Sequence, residues 1–417
     1  MYKTNSNKTS IGALLIFLYI GLISISPYAK IQIAPTFVLY SVAFISYIWI
    51  NKNRAFKYSN YKPVYFWLIW LTISSIRGVF MVDDYWGYKA LTTNMINSFL
   101  PCIIYLFCVP KYVHDFYNYW CKYWWIPTLI FLIPFCPQGE WTTFFSPLLL
   151  FIPFISVFKR IDRILIILMI LLFMLNWGVR SSILRVGIFL IIGLFLLHNH
   201  SVKFNNYRLY SAILIGLPIA LFMSAVYLNF NIFEFDKYLD FDYTFQSHTG
   251  EGDTKDESIL DDTRTFIYQE ATLSSIKNDY WLIGRSLGRG YDSDFFGELI
   301  GEMIGKAKAE RVSCEVAIVD VFTHTGLIGV IIYTYMFCVG VFRAITRGKN
   351  KYIKVCAVCV SVMYFMSWIE NAQTFNYLNI VIFTMLAICY SQAFQSMNNN
   401  EFESFLKSTF SRPKIGK

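Results

Sequence analysis

The sequence predicts an all-α polytopic membrane protein with about twelve transmembrane helices and one large extracytoplasmic loop domain. Three observations predict it. First, 56% of the 417 residues are hydrophobic, 19% are aromatic and 15% are charged, where soluble proteins carry about 25% charged residues. Second, the apolar residues gather into runs of roughly 20, the length that crosses a bilayer as a helix. Third, Lys and Arg concentrate in alternate loops, as the positive-inside rule requires. So much apolar surface exceeds what one water-soluble core can hide, which excludes a soluble enzyme. It also excludes a disordered chain, which needs low hydrophobicity.

The runs lie at 11–27, 31–50, 64–82, 94–109, 124–137, 144–158, 164–179, 184–197, 210–232, 316–342, 353–369 and 377–394. The first has no small-residue cleavage site behind it and reads as a retained helix, not a removed signal peptide. The runs at 124–137 and 144–158 are short. Pro127, Pro134 and Pro153 leave them tilted, kinked or re-entrant. With the N-terminus inside, the segments on that side hold 22 Lys and Arg residues. The short loops opposite hold only Lys30, Lys89, Arg180 and Arg185. Both termini are therefore expected in the cytoplasm.

Residues 1–232 then carry the first nine helices, 233–315 the outer domain with amphipathic helices, and 316–394 the last three helices. Residues 395–417 form a polar, basic cytoplasmic tail suited to anionic lipid. The outer domain holds 18 of the 27 acids and nine basic residues. The net charge of +9 is thus a property of the cytoplasmic rim and not a nucleic-acid signal.

Most of the nine cysteines sit in or beside apolar runs, where Cys is a small hydrophobe. Cys356 and Cys359 form a CxxC with no second pair or His nearby to complete a zinc site. No Walker motif, nucleotide-binding glycine fingerprint or internal repeat is present.

Ionisable groups at membrane depth are costly, so they are the functional candidates. Four places qualify. Gly178-Val179-Arg180-Ser181-Ser182-Ile183-Leu184-Arg185 puts two arginines and two serines at a tight outer turn. Guanidinium groups grip phosphate oxygens; the plainer reading is two snorkelling arginines. Asp261-Asp262-Thr263-Arg264 opens a helix with a cation in its first turn, against the dipole. That suits either a ligand or pairing with Asp261 or Asp262. Trp281 to Tyr291 places Arg285 and Arg289 among three glycines, as a close backbone approach to a ligand or as a surface turn. An amphipathic helix follows from Phe295 to Ala307.

The fourth place is the start of the next run. Glu315 sits at its mouth, as a possible general base, with Asp320 and His324 on one helical face inside it. That pair reads either as functional or as a buried hydrogen-bonded pair. Arg77 in the third run and Glu370 at the end of the eleventh line a polar cavity or join structural ion pairs.

In this order the elements resemble the O-antigen polymerase and O-antigen ligase superfamily (Wzy and WaaL type), GT-C-like glycosyltransferases of the bacterial inner membrane. The similarity covers about residues 165–342. Val179-Arg180-Ser181-Ser182 matches its Ser-Arg-like turn. Arg264 matches its loop-helix arginine, with Phe266 or Tyr268 near the usual Trp. Trp281 to Gly290 matches its glycine-rich turn. Gly326 and Gly329 match its next span, which places the family histidine on Glu315 and the neighbouring Asn on Val316.

That departure favours a polymerase over a ligase and leaves the base as Glu315 or His324. The resemblance implies a donor glycan on undecaprenyl diphosphate. Arg180 and Arg264 would hold the diphosphate, with Arg185, Arg285, Arg289, Ser181, Asp320 and Arg77 as further substrate contacts. It implies inversion, no metal and no cofactor. Its expected partners are the lipid bilayer, a chain-length regulator and a flippase, and no nucleic acid. A ligase acting on lipid A core is the alternative function. A polysaccharide flippase or transporter is a third reading; it expects midplane charges in both halves and an internal repeat.

Overall fold

A computed structural model of the chain describes residues 61–124, 145–174, 180–198, 204–228, 244–248, 254–258, 264–294, 297 and 310–410. The expected spans at 11–27, 31–50 and, beyond Trp124, 124–137 lie outside these residues. So do the Phe295–Ala307 helix apart from Gly297, the Asp261 and Asp262 pair, and the end of the basic tail.

The described chain is mostly helical. Its helices are α1 (Lys62–Met81), α2 (Tyr85–Ser98), α3 (Ile104–Phe107), α4 (Pro110–Tyr119), α5 (Arg160–Met174), α6 (Arg180–His198), α7 (Phe204–Leu228), α8 (Arg264–Lys277), α9 (Ala317–Arg347), α10 (Lys351–Met366), α11 (Tyr377–Tyr390), α12 (Gln392–Ser396) and α13 (Asn399–Thr409). Among the described residues, four stretches are long and apolar enough to cross a membrane: Lys62–Met81, Tyr85–Phe107, Phe204–Leu228 and Ala317–Arg347. Ile183–His198 and Tyr377–Tyr390 are shorter apolar helices.

Two antiparallel strand pairs depart from the all-α expectation. They are β1 (Thr244–His248) with β2 (Thr254–Ser258), and β3 (Tyr291–Asp292) with β4 (Glu310–Arg311). The second pairs Tyr291 with Arg311 and Asp292 with Glu310.

Two expected spans take a different form. The run at 94–109 belongs to a longer element that begins at Tyr85, because Asp84 caps it by accepting from Gly87 N at 2.7 Å. A 3-10 turn at Leu100–Ile103 interrupts it, where Pro101 removes a backbone donor. The run at 144–158 forms two 3-10 segments, Ser146–Leu150 and Ile152–Val157, each with a proline in its first turn. Their buried side chains make them an internal layer and not a lipid-facing helix. Gly193 lets α6 lie on this layer, since a Cβ there would fall 2.1 Å from Pro153 O.

Helix α9 is the hub, packing against α1, α7, α8, α10 and α11. The stretch from Leu327 to Arg347, at about 1.5 Å per residue, crosses roughly 30 Å of hydrocarbon by itself. The C-terminal α13 begins with a capping box between Asn398 and Glu401. It closes the opposite end through Phe402, stacked on Tyr352 at 5.7 Å, and through Phe410 against Phe151.

Candidate functional site

The site is organised by a break in α9. Gly326 has φ 69° and ψ −172°, a conformation essentially confined to glycine. A break inside an apolar helix frees backbone groups that need partners. The turn at 281–285 supplies them. Arg285 N donates to Thr323 O at 2.7 Å, and Leu327 N and Ile328 N donate to Trp281 O and Leu282 O at 2.9 and 3.2 Å. Trp70 Nε1 on α1 donates to Thr325 O at 2.9 Å. Arg77 Nη1 and Nη2 donate to Ile283 O and Gly284 O, both at 2.8 Å. Arg77, expected at a cavity or in an ion pair, instead straps this turn to α1.

The other arginines of the glycine-rich turn face carboxylates of their own segment. Arg285 Nη1 donates to Asp292 Oδ1 at 2.7 Å, and its Nη2 reaches Glu310 Oε1 at 2.9 Å. Arg289 Nε donates to Glu310 Oε2 at 2.9 Å, and Glu310 Oε2 also accepts from Gly290 N at 3.0 Å. Burial pushes the Asp292 carboxyl up, but hydrogen bonds from Arg285 and Asn278 outweigh it and hold it below the usual carboxylate range. Hydrogen bonds to Glu310 raise the Arg289 guanidinium, against its burial. Arg285 and Arg289 therefore tie the glycine-rich turn to the β3–β4 strand pair, which the glycine spacing alone did not disclose.

The first turn of α9 is closed by backbone. Ala317 N and Ile318 N donate to Glu370 O and Ser367 O, both at 3.0 Å, so these two helix-start donors already have carbonyl partners. Asp320 accepts from Ser313 Oγ and Cys314 N, both at 2.9 Å. His324 Nε2 lies 2.9 Å from Val312 O and 3.3 Å from Asn94 Nδ2. A carbonyl can only accept, so Nε2 carries the hydrogen toward Val312. Asp320 and His324 are buried, as the plainer reading expected. Asp320 bonds segment 313–314, and His324 meets Val312 and Asn94 on α2; the two do not bond each other. Glu315 pairs with Arg311 at 2.5 Å and its side chain is 47% exposed.

A second set of basic residues meets this turn. Arg264, the first residue of α8, donates through Nε to Ile369 O at 2.7 Å. Tyr268 donates to Trp368 O at 2.7 Å. Arg185 on α6 pairs with Glu370. Arg180 and Ser181 open the first turn of α6; their side chains lie outside the description. Asn371 Nδ2 donates to Cys314 O at 3.3 Å and ties the two segments together.

Arg185, Arg264, Glu315 and Glu370 are thus gathered around residues 314–317 and 367–371. Arg285 and Arg289 form a separate carboxylate cluster joined through β4, while Arg77, Asp320 and His324 act as ties. Glu370, read from the sequence as lining a polar cavity or joining an ion pair, pairs with Arg185. Its signal was an acid ending an apolar run. The assembled groups can hold an anion on guanidinium and accept a proton on carboxylate. Among the described residues, no group of three or more His, Cys, Asp or Glu is placed to hold a metal ion. No protein-family model matches the chain, and no curated protein matches it.

Proposed function

We propose that the chain is a polymerase of lipid-linked oligosaccharide repeat units, of O-antigen or capsule type. It transfers the glycan from undecaprenyl diphosphate to the acceptor sugar of another lipid-linked unit. The observation that carries this reading is the meeting of Arg185 on α6 with Glu370, and of Arg264 on α8 with the Ile369 carbonyl, beside the first turn of an apolar helix that Glu315 precedes.

Each part of such a substrate has a matching feature. An isoprenoid tail needs apolar helices. A leaving diphosphate needs cations that stabilise its developing charge, the role assigned to Arg180 and Arg264. An acceptor hydroxyl needs a carboxylate within reach. A single displacement at the anomeric carbon inverts its configuration.

In this reading the chain spans the bacterial cytoplasmic membrane with about twelve helices. Both termini are cytoplasmic, and segment 233–315 holds the sugars outside. A chain-length regulator and a flippase are its expected protein partners.

The test is elongation by the purified full chain in lipid nanodiscs, given an undecaprenyl-diphosphate-linked repeat unit. A ladder of longer lipid-linked glycans is expected, and it is lost in Arg264→Ala at normal protein abundance. No ladder from wild-type protein that binds the donor overturns the polymerase reading.

A further inference from the structure

Arg185 and Glu370 form the most deeply placed ion pair among the described residues, with side chains 2% and 14% exposed. One contact joins them, from Arg185 Nη2 to Glu370 Oε2. Arg185 Nε and Nη1 and Glu370 Oε1 are buried and make no hydrogen bond among the described residues. Buried charged groups are ordinarily satisfied on every side, because each missing partner leaves a desolvation penalty uncompensated. A purely structural arginine–carboxylate pair gains most as a two-bond fork. This pair instead keeps two donors and one acceptor unspent.

The backbone that carries this carboxylate is also held in place. The Glu370 carbonyl accepts from Ala317 N, its own N–H donates to Met366 O, and the preceding carbonyl accepts from Arg264. Three elements therefore hold the Glu370 backbone before any ligand arrives. Unspent donors on a cation beside an unspent acceptor complement one kind of ligand, with anionic oxygens next to a hydroxyl. Glu315 is less suited, since Arg311 occupies one oxygen and solvent reaches the side chain.

We infer that Arg185 and Glu370 are the reacting pair of the site, an inference that rests on the glycosyl-transfer reading above. Arg185 donates through Nε and Nη1 to oxygens of the leaving diphosphate. Glu370 Oε1 takes the proton of the acceptor hydroxyl. The hydroxyl oxygen bonds to the anomeric carbon as the bond from that carbon to the diphosphate oxygen breaks. The electron pair leaves with the diphosphate. The proton rests on Glu370 and passes to water when product departs.

The test uses the full chain in nanodiscs with two readouts: elongation of the lipid-linked repeat unit, and binding of undecaprenyl diphosphate by native mass spectrometry. Glu370→Gln is expected to lose about 100-fold in elongation rate, the usual contribution of a general base, while still binding undecaprenyl diphosphate. Arg185→Lys is expected to weaken that binding, and Glu403→Gln, on α13, to behave as wild type. Elongation by Glu370→Gln at the wild-type rate, or a larger loss in Glu315→Gln, overturns the inference and leaves the polymerase reading standing. A wild-type chain that neither binds undecaprenyl diphosphate nor elongates overturns the polymerase reading and the inference with it. If the single variants fail to fold, Arg185→Met with Glu370→Leu replaces the pair by apolar volume. Lost diphosphate binding in that folded variant supports the site, and wild-type binding overturns it.

Discussion

Gly284 and Gly326 are pressed backbone to backbone: a Cβ on Gly284 would fall 2.6 Å from Gly326 N, and one on Gly326 would fall 2.4 Å from Gly284 N. Both glycines have positive φ, 76° and 69°. The contact joins the 281–285 turn to the break in α9, so neither residue has room for a methyl group. Gly326→Ala is expected to destabilise the protein by on the order of 3 kcal/mol, from backbone strain and the clash together. Gly187→Ala, where nothing lies within 4 Å, is the matched control. Thermal unfolding in detergent separates the two; equal melting temperatures would refute the account.

The Arg77 fork makes its own prediction. Arg77→Lys keeps the charge but cannot span Ile283 O and Gly284 O with two planar donors. The 281–285 turn should loosen while the helices stay folded. Hydrogen exchange at Arg285, whose N–H bonds Thr323 O, should speed up with little change at Tyr333. Unchanged protection at Arg285 would argue against the strap.

Acid should loosen the glycine-rich turn where Arg285 holds Asp292 of β3. The Asp292 carboxyl lies below its ordinary value of 3.8 in the folded turn, so folding favours its ionised form. That contribution is fully present above the ordinary value and fades as pH falls through the lower folded one. Asp292→Asn should remove this acid-dependent part and leave the turn weaker at neutral pH. Proteolysis of the segment at a series of pH values, from neutral down through the Asp292 transition, reads both effects. An unchanged pH slope in the variant would count against the pairing with Arg285.

At the far end, Phe402 anchors α13 through contacts with Phe154, Tyr352 and Phe394. Phe402→Ala should cost about 3 to 5 kcal/mol, the usual cost of emptying a buried phenylalanine site. It should also release α13, which shows as new protease cleavage near Asn398. Loss of stability without that cleavage would place the effect elsewhere.

Membrane character and the approximate places of α1, α6, α7, α9, α10 and α11 were legible from local information, because an apolar run of sufficient length is a helix in lipid whatever its neighbours do. The same holds for Arg264 opening a helix and for Glu315 standing before α9. The break at Gly326 was not legible. A lone glycine in an apolar run usually continues the helix; here the turn at 281–285 supplies the partners that make stopping affordable. Nor could spacing tell that Arg285 and Arg289 would meet Asp292 and Glu310. The Arg185–Glu370 pair spans 185 positions of chain. By itself the sequence determined where most of the long apolar helices lie and which residues carry charge, since both follow from neighbouring residues and solvent preference. Only the tertiary structure decided which charges meet, because ion pairs and orphaned buried atoms depend on how distant helices pack.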